Sequence, residues 1–362
     1  TSFSVFSIGA WGLFLSGNLG FKPYGDPVFW HSHEMMFGFV CAIIAGFLLT
    51  AVQSWTGIRA THGKPLALLF SVWLLARAGM FSGWDGYQWL VALVDTSFLP
   101  LTAYFMASIV FKSGKIRDLL FLPILLLLTF ANVLTHLSIL TEDYTYFSWG
   151  INAALILVVL LMTVVAGRVI PEFTANGLGT GKIHNTLWVE YPLLISSCLI
   201  VLVYVTNAVI WLPGKVMALL FSLAFLSNVI RALRWQPWKT FSTPLLWSLH
   251  LAYWFIPLGH GLFALYFLDF PISSSTAVHS FTAGAMGSLI FAMIARVSQG
   301  HTGRTLSVGL SIKIGFVLIL LAGVTRVLGG LFQSSLGVES YLMAALFWVT
   351  AFGLFVIRYY RI

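Results

Sequence analysis

Nine histidines, at positions 31, 33, 62, 136, 184, 250, 260, 279 and 301, are the residues of this chain best equipped to hold a metal or carry a proton. Neutral imidazole ligates iron and copper, and it titrates near physiological pH. His31 and His33 stand two residues apart. On a helix such a pair points about 200° apart, so the two rings do not readily share one metal. They serve two centres on opposite helix faces, or one ring is a ligand and the other an outer hydrogen-bond donor. Glu34 beside them can orient an imidazole by accepting its other N–H. His250 and His260 are separated by about 15 Å of helix, so they belong to different sites.

The elements that position these rings follow from composition. Of 362 residues only 8% are charged and 59% are hydrophobic, with a mean hydropathy of +0.94. Such a chain has no polar surface to turn to water, and it reads as an all-α polytopic membrane protein. Two cysteines exclude a disulfide scaffold. Apolar runs predict twelve spans, near 2–18, 31–54, 65–83, 88–111, 117–138, 148–169, 190–211, 213–234, 244–268, 275–298, 307–333 and 339–360. Short loops leave residues 1–362 as a single membrane domain. No basic segment precedes the first apolar run, so a cleavable signal peptide is not expected there.

Of the 19 Lys and Arg, fourteen fall on the side of the two termini, including Arg59, Lys64, Lys112, Arg117, Arg168, Lys182, Arg231, Arg304 and Arg361, and only Lys22 and Lys215 on the other. The positive-inside rule then places both termini in the cytoplasm. The formal charge of +8 is a topology signal, and no nucleic-acid partner is expected. Asp26, Asp85, Glu142, Asp143 and Asp269 gather outside. In this frame His31, His33, His260 and His279 share the outer half of the membrane, a plausible metal or haem centre. His250 and His301 belong to the inner half. His62 and His184 read as solvated, and His136 as an interfacial residue at a helix end.

Three cations, Arg77, Lys313 and Arg326, lie within spans, where a charge needs a partner or a cavity. Arg77 and Asp95 flank the hairpin near Gly86 at equal depth and are expected to pair. The chain also repeats itself. His33, Gly38, Thr56 and Gly57 recur as His279, Gly284, Thr302 and Gly303, all at one offset of 246 residues. A weaker third copy at span six shares Arg168-Val169 and Thr174 with Arg296-Val297 and Thr302, but carries Ile151 in place of His. Three four-helix units follow. Cys41 and Cys198 read as small apolar fillers, and Met35, Met36 and Met286 as packing rather than copper ligands. The sequence has no phosphate-binding loop, GxSxG elbow or CxxC motif, which leaves hydrolytic and ATP-driven chemistry unsupported.

Trp30-His31-Ser32-His33-Glu34-Met35, the run 46–52 and Trp55-Thr56-Gly57 resemble the opening block of the NnrS family. Arg168-Val169-Ile170-Pro171, Phe173-Thr174-Ala175-Asn176 and the segment 231–238 resemble it too. The most specific block is Arg296-Val297-Ser298-Gln299-Gly300-His301-Thr302-Gly303-Arg304. Glu172 departs from the pattern, standing where an aromatic is expected. The resemblance implies a bacterial inner-membrane protein of twelve spans, associated with haem and copper, that relieves nitric oxide stress.

By looser analogy, the three four-helix units resemble the haem-copper oxidase bundle, whose low-spin haem is held by His near the outer ends of helices two and ten. His33 and His279 take those places as axial ligands of a b-type haem, since no CxxCH attachment motif is present. Span seven has no adjacent His pair, so a conventional haem–copper centre does not carry over. His31 and His260 are then the catalytic candidates, holding a second haem or a copper ion where nitric oxide binds. Arg77 and Arg326 are candidates to pair with haem propionates. The expected cofactors are one or two b-type haems, with copper as a further candidate. The expected partners are nitric oxide, membrane lipid and an electron donor, either a quinol or a periplasmic cytochrome. The activity is then that of a nitric oxide reductase-like oxidoreductase. The rival reading is a carrier for copper, haem or an iron–nitrosyl species, with labile metal and no turnover. A sensor lacks support, because no soluble output domain is present.

Overall fold

A backbone in lipid must satisfy its N–H and C=O groups internally, and this chain does so with helices throughout. A computed structural model describes residues 1–83, 86–115, 119, 121–181, 186–300, 302–303 and 306–360, with side chains 333 and 334 excepted. His184, His301, Asp85, Arg117, Lys182, Arg304 and Arg361 lie outside the described residues.

In chain order the helices are α1 (Ser2–Leu15), α2 (Pro27–Thr56), α3 (Lys64–Ser82), α4 (Gln88–Ser113), α5 (Leu122–Leu140), α6 (Tyr144–Leu178) and α7 (Leu187–Val205). There follow α8 (Gly214–Arg234), α9 (Pro244–Tyr253), α10 (Phe255–Tyr266), α11 (Ser274–Gly300), α12 (Leu310–Leu331) and α13 (Glu339–Tyr359). No strand occurs among the described residues. Helix stands at each of the twelve expected spans, and ten of these helices are long and apolar enough to cross a membrane. The other two differ for visible reasons. α1 has only 14 residues. The ninth expected span is broken at Trp254 into α9 and α10, because Pro257 has no N–H to offer the carbonyl of Tyr253. In the opposite sense, α6 has 35 residues, about 52 Å of helix against a hydrocarbon core of about 30 Å. In its projecting end the Phe173 ring lies 3.9 Å from the Arg296 guanidinium.

Contacts divide the chain into two compact units, Gly20–Leu157 and Thr1–Leu19 with Val158–Ile362. Each turns large apolar side chains outward, Leu75, Trp89 and Leu93 in the first and Trp188, Leu219 and Leu346 in the second. Lipid is the medium that suits such a surface.

The internal repeat has a structural counterpart. Within α2 the residues Glu34–Val40 form a π-helical segment, and within α11 the residues Ser280–Met286 do the same. Both begin immediately after the repeated histidine, at the same offset of 246 residues. A π turn widens the helix by one residue per turn, and such turns collect at functional sites. Each copy also ends on a left-handed glycine, Gly57 at φ 78° and Gly303 at φ 67°. The π segments are gripped by the neighbouring helix. Trp73 of α3 donates its indole N–H to the carbonyl of Gly38 at 2.8 Å. Gly284 lies so close to Gly323 of α12 that a Cβ on Gly323 would stand 2.7 Å from its Cα. The third copy lacks this feature, since α6 is α-helical through 152–158.

Gly323→Val should therefore lower stability by about 1–3 kcal/mol, as overpacking does in a close-packed interior. Gly46→Val, where nothing lies within 4 Å of a new Cβ, should leave the melting temperature of the detergent-purified protein nearly unchanged. Equal melting of the two variants would contradict the helix contact.

Candidate functional site

In the unit Gly20–Leu157, four helices bring polar side chains to a common point inside the bundle. His33 and Glu34 sit where α2 passes into its π segment. Arg77 comes from α3, Asp95 from α4, and Asn132 with His136, four residues apart on one face, from α5. Each lies about 6–12 Å along its helix from the end nearest residues 20–26, Gly83 and 141–143. All six are buried.

Arg77 is held by two carboxylates. Its Nη1 donates to Glu34 Oε1 at 2.8 Å, and its Nη2 meets Asp95 Oδ1. The expected Arg77–Asp95 pair is thus present, with Glu34 added. Asn132 Nδ2 donates to Asp95 Oδ2 at 2.8 Å, which leaves Asn132 Oδ1 as an acceptor 2.9 Å from Nε2 of His33. That nitrogen therefore carries the proton, and it also lies 3.3 Å from Asp95 Oδ2. His136 Nε2 faces the same carboxylate oxygen at 3.0 Å, while its Nδ1 lies 3.0 Å from the hydroxyl of Tyr24. The loop bearing Tyr24 is pinned by a 2.9 Å bond from its N–H to the carbonyl of Met80. Burial pushes the Tyr24 phenol up, so it stays protonated and donates. Nδ1 of His33 and Oε2 of Glu34 are buried with no hydrogen-bond partner.

His136 is therefore not interfacial. It is 2% exposed and belongs to the centre of this cluster. Its depth was the missed signal: it stands four residues from the end of α5, at the level of His33 in α2, and Asn132 lies one turn away on the same face. His31, about 200° around α2 from His33, is half-buried and takes no place in the cluster.

The second unit holds the other histidines of interest. His279, half-buried at the end of the first α-helical stretch of α11, has Nδ1 2.7 Å from the carbonyl of Ser275. His260 on α10 does likewise with the carbonyl of Ile256 at 2.8 Å, its ring edge-on to Phe281. An N–H at Nδ1 donated to a backbone carbonyl places the lone pair on Nε2, the tautomer that ligates metals. Arg326 of α12 donates to Ser275 Oγ at 3.3 Å and lies 4.1 Å from the ring of Tyr341 on α13. Its Nη1 is buried without a hydrogen-bond partner.

The two copies differ in charge in a simple way. The offset that carries His33 to His279 carries Glu34 to Ser280 and Asp95 to Tyr341. Both acids of the first copy are neutral in the second, while each copy keeps an arginine on its next helix. With neutral imidazoles the first cluster sums to −1, and the Arg326 site to +1.

Elsewhere in this unit, Arg231 is turned inward rather than solvated as its place in the positive-inside count suggests. It makes a two-pronged contact with Glu190 of α7, at 3.0 and 2.7 Å, and donates to the carbonyl of Thr163 at 2.9 Å. Gly167 leaves room for the guanidinium, since any Cβ there would collide with it. His250 bonds Thr174 Oγ1 at 2.9 Å. His62 is exposed, Lys313 is exposed near the start of α12, and Glu172 is exposed on the overhang of α6. Cys41 is a buried filler, and Cys198 is exposed.

The charge count gives a stability test. Arg77→Met leaves two buried carboxylates facing each other and should cost roughly 3–5 kcal/mol, the range for breaking a buried ion pair. Asp95→Asn brings the cluster to neutrality with Glu34 still on Arg77, and should cost clearly less. Thermal melts of both variants in one detergent check the order; the reverse order would refute the count.

A family model described as NnrS protein matches residues 1–362, the whole chain. No curated protein matches it.

Proposed function

The chain belongs to the NnrS family, and we propose that it is a haem-containing membrane protein that binds nitric oxide and reduces it. Membership makes it a membrane protein associated with nitric oxide stress. The family points to the bacterial inner membrane, and the excess of Lys and Arg on one side supports cytoplasmic termini with the histidine sites in the periplasmic half.

The observation that carries the haem reading is that His279 and Arg326 both contact Ser275. His279 holds its proton at Nδ1 against the Ser275 carbonyl, so Nε2 has the lone pair an axial ligand needs. One turn back along α11, Ser275 accepts from Arg326, which holds a buried N–H without a partner in a site of net positive charge. A haem propionate is an anion of the kind that satisfies such a group. His260, with the same tautomer in the same unit, offers a second donor. Haem, when bound, supplies an iron that ligates nitric oxide and delivers electrons to it.

The overall reaction joins two nitric oxide molecules with two electrons and two protons to give nitrous oxide and water. The electrons come from a quinol or a periplasmic cytochrome. Arg326 would neutralise a propionate there, and the apolar wall of Phe221, Phe263 and Phe281 around His260 keeps water from that side chain. Haem fits less well at the first copy as it is arranged. Arg77 is already neutralised by two acids, and the surplus negative charge of the cluster disfavours a propionate.

Absorption spectra of the purified protein, oxidised, dithionite-reduced and reduced with nitric oxide, test the reading against iron and copper counts on the same sample. Reduced bands of a b-type haem that shift with nitric oxide are expected. They should be lost or converted to a high-spin form in His279→Ala. A colourless protein with labile copper would overturn the reading in favour of the carrier, and an unchanged spectrum in His279→Ala would remove that ligand.

A further inference from the structure

The cluster of the first unit has the geometry of a metal-ion site, and neither the haem nor the nitric oxide chemistry is needed to argue it. We propose that Nε2 of His33, Nε2 of His136 and Oδ2 of Asp95 bind a transition-metal cation of the class that prefers imidazole nitrogen, with Glu34 and Tyr24 orienting the two rings.

The first ground is convergence. The three donor atoms come from three helices and lie within 4.8 Å of one another, all buried. The two imidazole nitrogens stand 3.3 and 3.0 Å from Asp95 Oδ2. A tetrahedral ion with bonds near 2.0–2.1 Å separates its ligands by about 3.3 Å. One helix would not supply this set. The ion pair of Arg77 with Asp95 Oδ1 aims the other carboxylate oxygen at the rings.

The second ground lies on the far side of each ring. To ligate through Nε2, an imidazole must move its proton to Nδ1, and that N–H must then find an acceptor. For His136 the acceptor is in place, since Tyr24 Oη is 3.0 Å from Nδ1. For His33, Nδ1 lies 3.8 Å from Glu34 Oε1. As arranged, Nδ1 of His33 and Oε2 of Glu34 are both buried and both without a hydrogen-bond partner. The same proton shift gives Nδ1 a hydrogen to donate and Glu34 a donor to accept from, by a small rotation of its carboxylate. A buried acceptor pair left unsatisfied in one tautomer and matched in the other is what a carboxylate–histidine–metal arrangement looks like before the ion arrives.

The third ground is charge. Glu34 and Asp95 against Arg77 leave −1 inside an apolar bundle, where uncompensated charge is expensive. A bound cation offsets that surplus, and two imidazoles with one carboxylate are donors that zinc(II) and copper both accept. Asp95 Oδ2 also accepts from Asn132 at 2.8 Å while facing both rings, more neighbours than its in-plane lone pairs serve. An ion among the three donors relieves that crowding.

The test is equilibrium competition on the full chain in detergent, stripped with a chelator and then titrated with copper(I) or zinc(II), each against a chromophoric chelator. One saturable equivalent per chain is expected that His136→Gln abolishes. Tyr24→Phe, which leaves all three donors in place, should weaken it by about 10–100-fold, the usual effect of losing an outer hydrogen bond to a metal-bound histidine. Monodisperse elution and an unchanged melt of Tyr24→Phe separate lost metal from lost fold. No saturable equivalent, or one equally present in His136→Gln, overturns the site. Haem spectra recorded on the same samples keep the outcome separate from that of the haem reading: His136→Gln should lose the ion and keep the haem.

Discussion

A guanidinium inside a lipid-facing bundle cannot be left alone, and Arg77 sets the terms for everything around it. Its two arms require two acceptors at fixed positions, which the fold supplies from α2 and α4. Those two carboxylates in turn exceed the one positive charge, so further partners are drawn in from α5 and from the loop that carries Tyr24. Four helices and a connecting loop are thereby indexed to one another by directional contacts. Apolar packing alone, in a solvent as apolar as the side chains, would not fix their register so sharply.

The repeated π segments do related work through the backbone. By inserting a wider turn directly after His33 and His279, the chain changes the direction in which the following residues point, and it opens carbonyls that an α-helix would use internally. In the first copy one of these carbonyls receives the Trp73 indole; in the second, glycine meets glycine. The repeated glycines are thus explained twice over: Gly38 and Gly284 inside the wide turn at a close helix contact, and Gly57 and Gly303 by the left-handed ending. The copies share a scaffold while the contacts on it have diverged.

Much of this was legible in the sequence because periodicity and length are strong signals in a membrane chain. Every expected span has helix, the Arg77–Asp95 pair is present, and the 246-residue offset reappears as matching π segments. What escaped was lateral rather than axial. Depth along a helix can be counted from the sequence, but the azimuth of His136 toward His33 depends on how α5 packs beside α2, which no local pattern encodes. The same holds for Arg231, whose place at a helix end suggested solvent but whose side chain turns inward to Glu190, reached through the space left by Gly167. The break at Trp254 was legible in principle, since Pro257 has a local effect, but the apolar run masks it.

The two copies become most informative when compared residue by residue. Exchanging Glu34 for Ser280 and Asp95 for Tyr341 converts a site with a surplus of negative charge into one with a surplus of positive charge, while the histidine and a neighbouring arginine persist. The tautomers follow the charge. Beside Asp95 and Asn132, His33 keeps its proton on Nε2, facing the acids. His279 gives its proton to a backbone carbonyl through Nδ1, which puts the lone pair on Nε2. One scaffold thus carries two sites of opposite charge, the acid-rich one suited to a cation and the arginine-rich one to an anion. The arginine is not a repeat position, since the offset carries Arg77 to Gly323, so the second copy reaches its positive surplus by losing both acids and placing Arg326 three residues further along the helix.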